Sequence, residues 1–84
     1  MNEFKFSSHA LKQMAERNIS VDDVLKTVSN PLQQCEENEG QRIYQRIFTF
    51  DNKQYLIRVF VNEEVIPKYI KTVYKTSKIK KYLL

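Results

Sequence analysis

One glycine, one cysteine, one histidine and no tryptophan occur among the 84 residues, with only two prolines. Each scarcity excludes something. Gly40 alone cannot build a glycine-rich phosphate loop, so nucleotide hydrolysis of that kind is disfavoured. A lone Cys35 can form no internal disulfide, and with no histidine placed beside it in sequence it reads as a passive residue rather than a nucleophile. One histidine and one cysteine cannot make a zinc site of the usual Cys and His type. The carboxylate pairs Asp22 and Asp23, Glu36 and Glu37, and Glu63 and Glu64 fall at a helix start and in loops, where neighbouring acids are far more often solvated than metal-binding. No metal and no cofactor is therefore expected. No window reaches the ~18 apolar residues of a membrane span. The start MNEFKFSSHALK has no basic region followed by an apolar run, so a cytoplasmic location is expected.

What is present suffices for one domain over 1–84. A chain of this length buries roughly 60 to 65 per cent of its unfolded surface, so its core depends on patterning more than bulk. With 42% hydrophobic residues and ten Phe and Tyr, a folded body is expected rather than disorder.

After an apolar-polar stretch around Phe4 and Phe6, Ser7 or Ser8 caps a helix from about His9 to Arg17, with Ala10, Leu11 and Met14 as its apolar positions. His9, Gln13 and Arg17 recur at i, i+4 and i+8 and line one edge of it. A second helix starts at Ser20 as N-cap, with Asp23 as an acidic capping-box residue and Ile19 and Val24 as a staple. Val21, Val24, Leu25 and Val28 form its buried stripe, and Asn30-Pro31 ends it. Strands follow: a short one near Leu32 to Glu36, then about Arg42 to Phe50, a turn at Asp51-Asn52, Gln54 to Asn62, and Lys68 to Lys75.

All ten carboxylates lie in the first 64 residues, against eight Lys and Arg there; the last twenty carry six lysines, three tyrosines and no acid. Lysines interleaved with aromatics fit a nucleic-acid backbone, although a solvated face has the same composition. Within the strand YLIRVFVN, Tyr55, Ile57, Val59 and Val61 form the core side and Arg58 points away. An even-length connection to the last strand sets Arg58 beside Lys71 and Lys75, an odd one beside Thr72 and Tyr74. The even case is preferred because it aligns Ile57 and Val59 with Ile70.

These side chains suit cleavage of RNA through its own 2′-hydroxyl without a metal. Such a reaction needs a proton acceptor, a proton donor for the leaving 5′-oxygen and cations on the phosphate. His9 can act as base or acid near pH 7, Arg17, Arg46 and Arg58 can clamp a phosphate bidentately, and Lys71 or Lys75 can become a donor among like charges. Tyr74 offers a phenol and a stacking face. Each residue also has a purely structural use: His9 as a helix cap, Arg58 paired with Glu63 or Glu64, and Tyr74 packed by its ring.

Two segments, FSSHALKQMAERNIS and TVYKTSKIKKYL, resemble small domains grouped with the RelE/ParE toxin superfamily. The chain departs from that pattern where Leu83 and Leu84 follow Tyr82. The resemblance implies an α+β fold with two N-terminal helices packed on a curved antiparallel sheet of three to four strands. It also implies a toxin-like activity, RNA cleavage or gyrase inhibition, and singles out His9, Arg17, Arg46, Arg58, Thr72, Tyr74, Lys75, Thr76 and Lys78.

The expectation that follows is a toxin-type, metal-independent endoribonuclease with His9, Arg58, Tyr74 and Lys75 as catalytic residues. Arg17, Arg46, Lys71, Thr72, Thr76, Lys78, Lys80 and Lys81 would hold the RNA, and a cognate antitoxin would be the protein partner. The alternative is a module that binds nucleic acid or protein without catalysis.

Overall fold

The computed structural model describes residues 4–83; residues 1–3 and Leu84, inside the expected 1–84 domain, fall outside it. Five strands and three helices follow in the order β1 (Phe4–Phe6), α1 (Ser8–Arg17), α2 (Val21–Ser29), β2 (Gln33–Asn38), β3 (Gln41–Phe50), β4 (Lys53–Asn62), β5 (Lys68–Thr76) and α3 (Ile79–Tyr82). All five strands join one sheet in the order β1-β5-β4-β3-β2. β1 runs parallel to β5 and the other pairs are antiparallel.

This corrects the expected architecture. The sheet is mixed and five-stranded, not a curved antiparallel sheet of three to four strands, and a strand precedes the two helices instead of the helices forming an N-terminal layer. The physical reason lies in β1, whose three residues are too few to show a two-residue period. Its pairing of Phe4 with Lys68 is also remote in sequence.

The helices begin where their caps dictate. Ser7 Oγ accepts from the Ala10 N–H at 2.9 Å and Ser20 Oγ from the Asp23 N–H at 3.0 Å. Asn18, left-handed at φ 54°, closes α1, and Asn30 ahead of Pro31 closes α2. The buried stripes are narrower than expected. Ala10 and Met14 are buried on α1 while Leu11 is 49% exposed; on α2 Val24, Thr27 and Val28 are buried while Val21 and Leu25 face outward. A helix on one side of a sheet contributes about one ridge, so the outer residues of a wide apolar stripe stay in solvent.

The β3-β4 hairpin turns at Asp51 and Asn52, both at positive φ as a tight two-residue turn requires. At the other end of β3, Gly40 is left-handed at φ 75°, and a Cβ there would run into the Glu64 side chain. Ala10, Met14, Ile19, Val24 and Val28 pack on Tyr44, Ile57, Val59, Val61, Ile70 and Val73 as the core. Burying such side chains contributes roughly 1.5 to 3 kcal/mol each.

Candidate nucleic-acid interface

The register of β4 on β5 decides which side chains meet. Beside the connecting loop Asn62 opposes Tyr69 and Val61 opposes Ile70, the even spacing preferred from the sequence. Continued, that pairing would set Arg58 against Val73. Lys71 is instead an extra residue in β5, so Phe60 opposes Thr72, Val59 opposes Val73, Arg58 opposes Tyr74 and Ile57 opposes Lys75. The bulge brings both Ile70 and Val73 into the core, and from there on it reverses the faces of β5. Arg58 therefore lies with Thr72 and Tyr74, and Lys75 lies on the core side, contrary to the preferred alignment.

On the face away from the core, Arg58 Nε donates to Gln45 Oε1 at 2.6 Å, and Gln45 Nε2 donates to Gln33 Oε1 at 3.2 Å. Gln45 is buried on β3, so this neutral relay from β2 to β4 fixes the guanidinium without neutralising it. The guanidinium stacks against Tyr82 at 4.2 Å and Phe60 at 5.2 Å from the ring centroids. Neither Glu63 nor Glu64 pairs with it, since Glu63 is taken by Arg42 and Lys68. Among the described residues Arg58 has no acidic partner. Its hydrogen bond there is made through Nε, not through the terminal nitrogens.

Tyr74 meets Tyr82 edge-on at 5.9 Å, and the Arg17 guanidinium stands 5.9 Å from its ring. The Tyr82 hydroxyl draws the Tyr74 phenol below its ordinary value; the Thr76 side chain and the charges of Arg17 and Lys81 act the same way, against an opposing effect of burial. Thr76, buried opposite Leu56, also accepts the Lys78 N–H through Oγ1.

The polar edge of α1 turns out to serve the sheet. Ser7 Oγ donates to the Lys71 carbonyl, Gln13 Oε1 accepts the Val73 N–H and Arg17 Nη1 donates to the Lys75 carbonyl, at 2.8, 3.0 and 3.4 Å. Beyond the three residues that β1 pairs, these side chains satisfy the otherwise open edge of β5. His9 is exposed, and no hydrogen bond or ring contact joins it to Arg58, Tyr74 or Lys75 among the described residues.

The other expected residues are dispersed. Lys75 Nζ donates to the Arg17 carbonyl at 3.2 Å and sits over Phe50 and Tyr55, at 4.8 and 4.9 Å, beside a cavity of about 540 Å³ that Asn18 and Asp51 also line. Arg46 donates to the Asn30 carbonyl at 2.7 Å and covers Phe48. Lys71 reaches Glu37 at 3.9 Å. Lys78, Lys80 and Lys81 are not a simple tail, because the chain turns into α3 there. The structure thus unites Arg58, Tyr74, Thr72, Arg17 and Lys81, and leaves His9, Arg46 and Lys75 outside that group. Tyr82 and Gln45 belong to the site and were not singled out from sequence. A glutamine in the middle of the apolar strand RIYQRIF was the available signal for the second.

On the core side, Glu63 accepts from Arg42 Nε at 3.2 Å, from Lys68 Nζ at 3.4 Å and from the Tyr44 hydroxyl. Burial, and then the Glu63 carboxylate, push the Tyr44 phenol up to about 12. Burial works to raise Glu63, but its bonds from Tyr44, Lys68 and Arg42 prevail and hold it below the usual range. This cluster ties the β4-β5 loop to β3.

Among the described residues no group of three or more His, Cys, Asp or Glu stands together as a metal site, and no helix is long and apolar enough to cross a membrane. No curated protein and no solved structure matches the chain. Residues 6–75 match the family described as "Domain of unknown function (DUF4258)", and the chain belongs to that family.

Proposed function

We propose that the protein binds single-stranded RNA across the face that carries Arg58, Tyr74 and Tyr82 and cleaves its phosphodiester bonds without a metal, as a toxin-type endoribonuclease. The observation that carries this reading is an arginine fixed by a neutral glutamine, stacked on aromatic rings and matched by no acid, next to a tyrosine whose phenol is held low. The resemblance of the two end segments to the RelE/ParE toxin superfamily adds support for an RNA substrate.

In this reading the free nitrogens of Arg58 grip the scissile phosphate and stabilise the charge that builds on it. Tyr82 and Phe60 provide ring faces for adjoining bases. The 2′-oxygen attacks phosphorus as its proton leaves to solvent, and the Tyr74 phenol donates a proton to the departing 5′-oxygen, leaving a 2′,3′-cyclic phosphate. The Tyr82 hydroxyl first, and then Thr76, Arg17 and Lys81, favour the phenolate that Tyr74 becomes. Catalysis of this kind acts in the cytoplasm, restrained by an antitoxin with an acidic segment.

The test is controlled expression in a bacterium with RNA profiling, alongside Arg58→Ala, and cleavage by purified protein in the presence of a chelator. RNA cut by the wild type but not by Arg58→Ala is the expected outcome. A binding module without catalysis is the second reading, favoured because His9 and Lys75 stand away from Arg58. It predicts RNA bound and left whole, whereas arrest of DNA replication with intact RNA points to gyrase.

A further inference from the structure

A groove of about 590 Å³ opens between the start of β4 and the C-terminal segment, lined by Lys53, Gln54 and the run from Ser77 to Lys81, with Ile79 as its apolar member. Its charge is one-sided. Four lysines and no carboxylate line it, and among the described residues none of the four is ion-paired. Packing like charges around one depression costs free energy unless an anion enters it. The neighbouring cavity beside Lys75 shares Lys53, but Asp51 lines that one and weakens its hold on anions.

The groove also connects to the Arg58 site. Lys81 Nζ stands 5.5 Å from the centre of the Tyr82 ring, whose face lies against Arg58 at 4.2 Å. Lys81 is therefore common to the groove and to the aromatic cluster at Arg58. Ser77, Lys78, Lys80 and Lys81 all lie beyond residue 75, where the match to the family ends.

We infer that the groove is a second binding site, one that takes the sugar-phosphate backbone of the RNA strand flanking the phosphate held by Arg58. The inference rests on the RNA reading above and extends it to the length of substrate engaged. Ring faces at Arg58 hold bases, while the groove offers lysine ammonium groups, the Gln54 amide, the Ser77 hydroxyl and the aliphatic surface of Ile79 and the lysine stems but no ring, so it takes backbone charge and stacks no base. A longer strand gains affinity over a short one for that reason.

The test uses the full chain and labelled 2′-O-methyl oligonucleotides, which cannot be cut through a 2′-hydroxyl. Fluorescence anisotropy over a salt series compares a dinucleotide with an octanucleotide on the wild type, Lys53→Gln, Lys78→Gln, Lys80→Gln and Arg58→Gln, with Lys26→Gln on α2 as a charge control. The expected result is that each groove substitution lowers the log-log salt slope of the octanucleotide by about 0.7. The dinucleotide should be insensitive to those substitutions, and Arg58→Gln should weaken both ligands. Octanucleotide slopes equal to that of Lys26→Gln overturn the groove while leaving the Arg58 site intact. Loss at the lysines with none at Arg58→Gln keeps the groove and removes the site. If neither oligonucleotide binds any form, both are wrong.

Discussion

Arg42 and Arg58 sit on neighbouring strands of one sheet and meet opposite fates. Arg42, on the core side, is bound to the Glu63 carboxylate, which Lys68 and the Tyr44 hydroxyl also share. Arg58, on the other face, meets among the described residues the amide oxygen of Gln45 and two aromatic rings but no carboxylate. The tyrosines differ as well: burial, and then the Glu63 carboxylate, push Tyr44 up to about 12, whereas the Tyr82 hydroxyl, with Thr76, Arg17 and Lys81 acting the same way, holds Tyr74 below its ordinary value. The contrast separates charge that is internally matched, and so holds the fold together, from charge left open to an outside anion.

Substitutions that damage the core face should be the costliest. Ile57→Ala removes a fully buried side chain beneath the helices and should cost about 2 to 5 kcal/mol in urea unfolding. Phe60→Ala, half-buried on the other face, should cost less than half of that while weakening RNA binding.

Tyr44→Phe comes next, at about 1 to 3 kcal/mol, because it takes a donor from a partly buried carboxylate. Its pH signature is specific. A phenol raised on folding adds stability that is fully present below its unfolded value of 10.0 and is lost as pH climbs towards 12. Glu63, lowered on folding, adds stability present above its unfolded value and lost as pH falls through the folded one. Unfolding measured against pH should therefore weaken at both ends in the wild type, and Tyr44→Phe should remove the alkaline decline.

On the open face, Tyr82→Ala should weaken binding of single-stranded RNA by about 1 to 3 kcal/mol through loss of a stacking ring. Tyr82→Phe should shift the absorbance titration of Tyr74 upward, since the Tyr82 hydroxyl is the main cause lowering it. The smallest effect is expected for His9→Ala, within about 0.5 kcal/mol of stability and with cleavage retained, as its side chain is exposed and apart from Arg58.

Local signals in the sequence were reliable where local physics decides. The Ser20 cap, the stop at Asn30-Pro31 and the turn at Asp51-Asn52 each depend on a few adjacent residues, and each was readable. Ile57, Val59 and Val61 were readable as core from their period of two. β1 was not, because pairing Phe4 with Lys68 is a contact between chain ends that no window contains. The bulge at Lys71 escaped for a related reason. Only the need to bury both Ile70 and Val73 beneath the helices selects it, and it alone decides that Arg58 meets Tyr74 and not Lys75. Arg58 and Tyr74 were thus identifiable as candidates from their chemistry, while their partnership depended on packing. Gln13 and Arg17, read as a polar stripe with functional spacing, are engaged by the edge of β5.

The contrast between the two arginines gives the most direct measurement. Purified wild type, Arg58→Ala and Arg42→Ala would be compared on one single-stranded RNA with chelator present, at a temperature where circular dichroism shows all three folded. The expected result is cleavage slowed roughly 100- to 1,000-fold by Arg58→Ala, the range for removing a group that stabilises transition-state charge, and little changed by Arg42→Ala. RNA cut equally fast by wild type and Arg58→Ala, or slowed as much by Arg42→Ala, would contradict the account.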